Sequence, residues 1–165
     1  MIAYAVIAAV AAQRIAEIWY AQKNTRALFA RGAVEIGRKH YPLFVILHAA
    51  WLLAILFALP RPAPLNTIPL AAYLVLEAFR IWTMLSLGPY WTTRIITLPN
   101  APLVRRGPYR FVRHPNYLIV AGEIALLPLV FGEFWVAVAF SLLNGALLFW
   151  RIREEESALR PRLSL

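Results

Sequence analysis

The chain has 165 residues, of which 61 % are apolar and 15 % are charged, with a net charge of +9. Soluble domains carry about 25 % charged residues, so the composition excludes an ordinary soluble globular protein and predicts one lipid-embedded domain spanning 1–165. The lack of cysteine excludes disulfides, iron–sulfur clusters and thiolate zinc sites, and we predict no metal site. We also predict no nucleic-acid partner, because basic loops facing anionic membrane lipid account for the positive charge.

Five apolar segments predict an all-α, polytopic membrane helix bundle. In chain order they are Ile2–Ala21, Tyr41–Leu59, Ile68–Leu87, Tyr117–Phe131 and Phe134–Trp150. The first three approach the roughly 20 residues that cross a bilayer. The first lacks the basic leading region of a signal peptide, so we expect a retained helix. The last two are short and separated only by Gly132-Glu133, which favours a tight helical hairpin. No strand is predicted.

Lysine and arginine residues predict how the bundle faces the membrane. Fourteen of the seventeen lie in loop 22–40, in loop 88–116 or beyond residue 150, whereas the opposite connectors hold only Arg61. Basic loops stay on the cytosolic side. We therefore expect the N-terminus outside, the C-terminus in the cytosol, and a cytosolic cofactor-binding part formed by residues 88–116 and 151–165.

Several ionisable side chains fall inside the predicted helices, where charge is costly unless it faces protein, water or ligand. They are Arg14, Glu17, His48, Glu77, Arg80 and Glu123. The two arginine–glutamate pairs are spaced three residues apart, so each is predicted either to form an ion pair or to face a ligand. Glu123 has no cation one turn beyond it and is predicted to line a polar cavity. His48 is predicted to be a hydrogen-bonded packing residue.

The densest polar segment directly precedes the fourth predicted helix. Its members are Tyr109, Arg110, Arg113, His114, Asn116 and Tyr117. Pro115 suits a first helical turn, and the free N–H groups there favour a carboxylate or phosphate. The positively charged side chains of Arg110 and Arg113 also suit a carboxylate. A lipid-binding patch needs only basic residues, so this mixture indicates a shaped binding site.

A second charged cluster follows the last predicted helix. Three consecutive carboxylates, Glu154, Glu155 and Glu156, come directly after Arg151 and Arg153. Such a run is unfavourable beside an anionic membrane, so it indicates positive charge nearby, from the other basic loop or from a cationic ligand. A solvated charged cap is the alternative.

These segments resemble the isoprenylcysteine carboxyl methyltransferase family and the wider group of membrane methyltransferases that includes phospholipid N-methyltransferases. The resemblance covers about 92–159 and is carried by Gly107–Arg110, Arg113–Tyr117, Gly122-Glu123, Arg151-Ile152 and Glu155-Glu156, with Leu159 beyond them. It implies methyl transfer from S-adenosylmethionine to a lipophilic acceptor. Three acceptors are compatible with the resemblance: a prenylcysteine carboxylate, a phenolic or enolic hydroxyl, or another lipid group. The hydroxyl acceptor is the one associated with compact bacterial-type relatives, which act on alkylpyrones or alkylresorcinols.

The resemblance also implies roles for individual residues. The implied cofactor pocket consists of Tyr109, Arg110, His114, Pro115 and Tyr117, with Glu123 near it. Arg151, Glu155 and Glu156 are implied to close the site and act near the transferred methyl. A carboxylate acceptor would be oriented by Arg151 without a base, whereas a hydroxyl acceptor requires a base, for which His114 or Glu155 is the candidate.

Two other functions compete with this prediction. Integral-membrane sterol reductases also end in a tyrosine–arginine–His-Pro stretch that binds NADPH, and a non-enzymatic lipid-binding subunit would use the intramembrane charges only to join helices. A soluble nucleotide-binding methyltransferase is excluded, because the chain has no Gly-x-Gly-x-x-Gly stretch and no alternating strand–helix pattern.

Overall fold

The computed structural model describes residues 1–39, 41–99, 101 and 104–159. Five α-helices form the bundle: α1 (Ile2–Phe29), α2 (Tyr41–Ala58), α3 (Thr67–Leu87), α4 (Pro115–Val130) and α5 (Phe134–Leu159). Two short strands, β1 (Val34–Ile36) and β2 (Ile95–Thr97), pair antiparallel with Glu35 opposite Ile96. Short 3-10 helices at Gly88–Tyr90 and Gly107–Arg110 complete the described elements.

Four of these helices are long and apolar enough to cross a membrane, namely α1, α2, α3 and α5. The fifth, α4, has 16 residues, or about 24 Å at 1.5 Å per residue, which is less than the roughly 30 Å hydrocarbon core. A turn at Phe131-Gly132 connects it to α5, and Gly132 has a φ of 77°. The predicted mainly helical bundle is confirmed, and of the roughly five transmembrane helices predicted, four are long enough to span and one is a shorter apolar helix.

Large apolar side chains fill the centre of the bundle. Trp51, Ile55, Leu127 and Phe131 are each fully buried. The indole N–H of Trp51 donates to the carbonyl oxygen of Ile124 at 3.2 Å, which ties α2 to α4 and satisfies the one polar atom of that side chain.

Two helix ends and the strand content differ from those predicted. Helix α1 continues eight residues past Ala21, and α5 continues past Trp150 to Leu159, so Arg151–Glu156 lie on a helix rather than in a tail. A hydropathy pattern shows where a helix leaves the lipid and not where the helix ends. Both helices continue beyond the apolar segment into the polar zone. The prediction that the chain has no strand is wrong. Three-residue strands are too short to show an alternating pattern.

Polar contacts hold the extended end of α1 against the segment after α3. Asn24 is buried, and its amide donates to the carbonyl oxygens of Gly88 at 3.1 Å and Trp91 at 2.9 Å. Arg94 of that segment bridges to Glu35 at 3.2 Å. Strands β1 and β2, the segment 88–94 and the end of α5 therefore meet at one end of the bundle.

Five charged side chains form an ion network inside the bundle. Arg80 donates from Nε and Nη2 to both oxygens of Glu17, at 2.7 and 2.6 Å, and from Nη1 to Glu123 at 2.8 Å. Arg14 reaches Glu123 at 2.8 Å, Glu17 at 3.2 Å and Glu77 at 3.6 Å. Arg14 and Glu17 form the ion pair that was one of the two predicted alternatives. Arg80 turns toward α1 and α4, so the ion pair proposed for it with Glu77 is not formed among the described residues.

Candidate active site

A cavity of about 1180 Å³ opens at the end of the bundle where the polar segments meet. Its walls come from all five helices and from the segment 90–98. Eight of the predicted site residues border it: Tyr109, Arg110, Arg113, His114, Tyr117, Arg151, Glu155 and Glu156. The two polar clusters, about 40 residues apart in sequence, are thus brought into one site. Residues 160–165, which were predicted to contribute, lie outside the described residues.

Gly107 fixes the start of the polar segment against α3. It has a φ of 57°, and a Cβ at this position would lie 1.9 Å from Oγ of Ser86. The neighbouring Arg106 donates from Nε to the carbonyl oxygen of Ser86 at 2.6 Å. Because both backbone conformation and space require glycine, the end of α3 determines where Tyr109 and His114 are presented.

Gly107→Ala is therefore expected to displace the segment and weaken ligand binding at the cavity by about tenfold or more, since φ above zero and the clash with Ser86 both oppose a side chain. Calorimetric titration with S-adenosylhomocysteine measures this. Gly145→Ala is the matched control, because a Cβ at Gly145 meets nothing within 4 Å; equal affinities in the two variants would contradict the prediction.

Tyr117 of α4 and two residues of α5 form a hydrogen-bonded triplet in the cavity wall. The Tyr117 hydroxyl donates to Oε2 of Glu155 and accepts from Nε of Arg151 at 2.8 Å. Arg151 also donates from Nη2 to the carbonyl oxygen of Thr93 at 2.8 Å. Its guanidinium lies 5.0 Å from the ring centre of Phe44 and 5.5 Å from that of Tyr117. Arg151 thereby joins α2, α4, α5 and the segment before β2.

His114 directly precedes the first residue of α4, and its ring lies near both glutamates. Its ring stacks on Tyr117 with 5.2 Å between ring centres, at 15°. Its Nδ1 lies 3.8 Å from Glu155 and its Nε2 3.8 Å from Glu156. Nε2 of His114 and Oδ1 of Asn116 are buried without a hydrogen-bond partner among the described residues. Such atoms are costly to leave unpaired, so they indicate a ligand.

The remaining predicted residues differ in exposure. Tyr109 is partly buried, and burial, followed by the charge of Glu155, raises its pKa, so the phenol stays protonated. Arg110 and Arg113 are exposed at the mouth. Pro115 is buried at the first position of α4 and does not border the cavity. Its fixed φ helps to start the helix.

Glu123 does not border the cavity, unlike the prediction. It is 1 % exposed and lies one layer behind the wall, where it binds Arg14 and Arg80. Both arginines do line the cavity. Glu123 was predicted to line a cavity because its own helix offers no cation nearby. Its cationic partners come from α1 and α3, and residue spacing within one helix could not indicate them.

Sequence analysis missed the deeper part of the site. Phe44 and His48 of α2, Thr93 before β2, and the pair Arg14 and Arg80 all line the cavity. The ionisable ones were noticed because charge is rare in membrane helices. No local signal placed them beside the polar segment, and Thr93 acts through its carbonyl oxygen, which every residue has.

Residues 68–161, more than half of the chain, match the sequence model described as the Isoprenylcysteine carboxyl methyltransferase (ICMT) family. The chain belongs to this family. The predicted resemblance is thereby confirmed, and family membership together with the apolar helices makes the chain a membrane methyltransferase in general terms. The family match begins in α3, so it includes the triplet and His114 but not α1 or α2.

Two bacterial proteins are similar to the chain. The uncharacterized protein YpbQ of Bacillus subtilis is 36 % identical over 158 residues, which is 93 % of this chain and 94 % of that protein. An uncharacterized protein of Haemophilus influenzae is 30 % identical over 142 residues, or 83 % of each chain. No solved structure matches the chain.

Proposed function

We propose that the protein is an S-adenosylmethionine-dependent O-methyltransferase that modifies a lipophilic acceptor at the cytosolic face of the membrane. The observation that carries this proposal is the convergence of Tyr117, Arg151 and Glu155 with His114 at the mouth of a cavity that continues into the bundle. A polar mouth and an apolar side formed by α1 and α2 suit a charged donor and a lipophilic acceptor meeting at one point.

The cavity mouth carries charged and aromatic groups that suit the proposed cofactor. S-adenosylmethionine carries a carboxylate, an ammonium, a sulfonium and an adenine. Arg110 and Arg113 suit the carboxylate, and Glu156, which is about half exposed, suits the ammonium. The stacked rings of His114 and Tyr117 suit the sulfonium and the adenine. The unpartnered Nε2 of His114 supports ligand binding independently of charge.

The residues of the triplet supply orientation. When bound, the cofactor supplies an electrophilic methyl group. Arg151 fixes the Tyr117 hydroxyl, and this hydroxyl in turn fixes the carboxylate of Glu155. Most of the acceleration of an in-line displacement comes from alignment of the reacting groups. Side chains held in fixed rotamers, as in the triplet, can provide that alignment.

The acceptor is proposed to enter from the lipid between α1 and α2. Apolar side chains of both helices line this side of the cavity: Ala11, Ile15, Ile18, Val45, Ala49 and Leu52. Ile15 is 69 % exposed and Val45 is 42 % exposed, so in the membrane both would face lipid as well as the cavity. The cytosolic orientation of the mouth is proposed from the predicted charge asymmetry of the loops.

Binding of S-adenosylhomocysteine to detergent-purified protein tests the proposal. We expect saturable micromolar binding with a one-to-one stoichiometry by calorimetry, and no competition by NADPH. Binding of NADPH instead, in protein that retains its helical circular dichroism, would favour the reductase prediction. Binding of neither ligand would contradict a catalytic role.

Removing His114 is expected to abolish detectable cofactor binding. His114→Ala deletes both the ring that stacks on Tyr117 and the group between the two glutamates. Arg110→Ala is expected to do the same by removing a charge partner for the carboxylate. Arg26→Ala is a matched control, because Arg26 is exposed on α1 and does not border the cavity. Wild-type affinity in His114→Ala would refute this placement of the cofactor.

A further inference from the structure

The end of α1 that extends past its apolar segment carries a buried amide side chain, Asn24. This residue is 7 % exposed, does not border the cavity, and lies outside the family match, which begins at residue 68. Building on the proposed function, we infer that Asn24 is a positioning residue for methyl transfer. It fixes the segment 88–94, and this segment in turn holds Arg151 in the orientation that aligns the triplet.

The amide of Asn24 holds two carbonyl oxygens of this segment. Its Nδ2 donates to Gly88 at 3.1 Å and to Trp91 at 2.9 Å. Both partners only accept, so the nitrogen of the amide has to face them. The carbonyl oxygen of Gly88 also accepts from the hydroxyl of Tyr20 at 3.2 Å and from the N–H of Trp91 at 3.0 Å. For the carbonyl oxygen of Trp91, no donor besides Asn24 is found in the described part of the chain.

The segment 88–94 depends on such side-chain contacts because little of it is regular structure. It lies between the end of α3 and β2, and it contains one turn of 3-10 helix. Buried carbonyl oxygens outside helices and sheets need other donors. In this segment the donors and contacts come from three further helices: Asn24 of α1 on Trp91, Tyr41 of α2 on the hydroxyl of Thr93 at 3.1 Å, and Arg151 of α5 on the carbonyl oxygen of Thr93.

The carbonyl oxygen of Thr93, two residues after Trp91, fixes one side of the Arg151 guanidinium. Nη2 of Arg151 donates to it at 2.8 Å, and Nε donates to the Tyr117 hydroxyl at the same distance. Because the guanidinium is planar and its donors have fixed directions, a displaced Thr93 turns Nε away from Tyr117. The Tyr117 hydroxyl donates to Glu155. A shift of the segment therefore disturbs every member of the triplet.

The helix that carries Asn24 is itself held in place by the ion network. Asn24 follows Glu17 by seven residues, about two helical turns, so both lie on the same side of α1. Arg80 of α3 binds both oxygens of Glu17, at 2.7 and 2.6 Å. The network thus fixes α1 against α3, and Asn24 extends the same contact surface to the segment that follows α3.

Hydrogen exchange at Nε of Arg151 tests the inference without any substrate. In isotope-labelled protein in micelles, the nuclear magnetic resonance signal of this N–H is assigned by its absence from Arg151→Lys. Asn24→Leu keeps a side chain of similar size but removes both hydrogen bonds, so we expect exchange at Arg151 to be about tenfold faster. Exchange as slow as in the wild type, in Asn24→Leu protein with unchanged helical circular dichroism, would overturn the inference.

Tyr20→Phe is the matched control for this measurement. It also removes a hydrogen bond between α1 and the segment, but that bond ends at Gly88, whose carbonyl oxygen still accepts from Asn24. We expect exchange at Arg151 to stay within about twofold of the wild type. Equal acceleration in Tyr20→Phe and Asn24→Leu would contradict a specific part for Asn24. If Asn24→Leu does not fold, the smaller Asn24→Ser takes its place, with the same expected and contradicting results.

Initial rates connect this position with the proposed function. With para-dodecylphenol, which joins a hydroxyl to a long apolar tail, Asn24→Leu is expected to lower turnover about tenfold. Its affinity for S-adenosylhomocysteine should stay within about twofold of the wild type, because Asn24 does not border the cavity.

A double variant shows whether Asn24 acts through Arg151. In the Arg151→Lys background, Asn24→Leu should lower the rate by less than about twofold, since the contact that it supports is already lost. Losses that multiply in the double variant would overturn the inference. Failure of the wild type to bind S-adenosylhomocysteine would instead contradict the proposed function, and the exchange measurement would still decide whether Asn24 positions Arg151.

Discussion

Replacing Arg151 with lysine is expected to lower methyl transfer to para-dodecylphenol by about a hundredfold while the protein still folds. Lysine keeps the charge but cannot donate to Tyr117 and Thr93 at once, and it stacks less well on Phe44. The loss should fall on turnover, because the hydroxyl of Tyr117 and the carboxylate of Glu155 would both lose a fixed position. Initial rates at saturating donor measure this.

Arg153 provides the matched control for that experiment. It is exposed on the same helix, with its guanidinium 4.8 Å from the ring of Phe149, and it does not border the cavity. Arg153→Lys is expected to leave the rate within about twofold of the wild type, as for most surface substitutions. If Arg151→Lys and Arg153→Lys were equally active, the bridging contacts of Arg151 would have no part in catalysis.

Arg80→Leu is expected to have the largest effect on stability, about 3 kcal/mol or more. The substitution leaves Glu17 and Glu123, which are 6 % and 1 % exposed, to share Arg14 with Glu77. Buried carboxylates with too little counter-charge must either be ionised at great cost or take up a proton. Unfolding in mixed micelles, followed by circular dichroism, measures the change.

A second substitution distinguishes an unpaired charge from a packing defect. Adding Glu17→Leu to Arg80→Leu removes one of the two stranded carboxylates, so the double variant should be more stable than the sum of the two single effects predicts. Additive effects would mean that Arg80 and Glu17 do not stabilise each other, despite the two short hydrogen bonds between them.

The sequence predicted the polar mouth of the site better than its interior. Tyr109, His114 and Tyr117 lie within one local motif, and Arg151 with Glu155 forms another, so residue type and spacing were sufficient to single them out. What brings the two motifs together is the turn at Phe131-Gly132, which makes α4 and α5 antiparallel. The predicted α4–α5 hairpin therefore explains why the two sequence motifs form one polar mouth.

The interior could not be predicted because it depends on packing between distant helices. Arg80 pairs with Glu17, 63 residues away, instead of with Glu77 on its own helix. Spacing within one helix gives the possible partners and not the preferred one. The strand containing Ile95 pairs with Glu35 and its neighbours across 59 or more residues, and no local pattern in three residues predicts such a contact. His48 was expected to pack, and the cavity beside it is visible only in the fold.

The chain order of the helices has a consequence for how such a protein diversifies. The mouth residues belong to the segment 107–114 and to α4 and α5, whereas the lipid-facing wall belongs to α1 and α2, and the connector 59–66 and α3 lie between the two stretches. On the proposed function, recognition of the methyl donor and choice of the molecule to be methylated are encoded in different stretches of the chain. Substitutions before residue 60 can then redirect the enzyme to a new lipid without altering its donor chemistry.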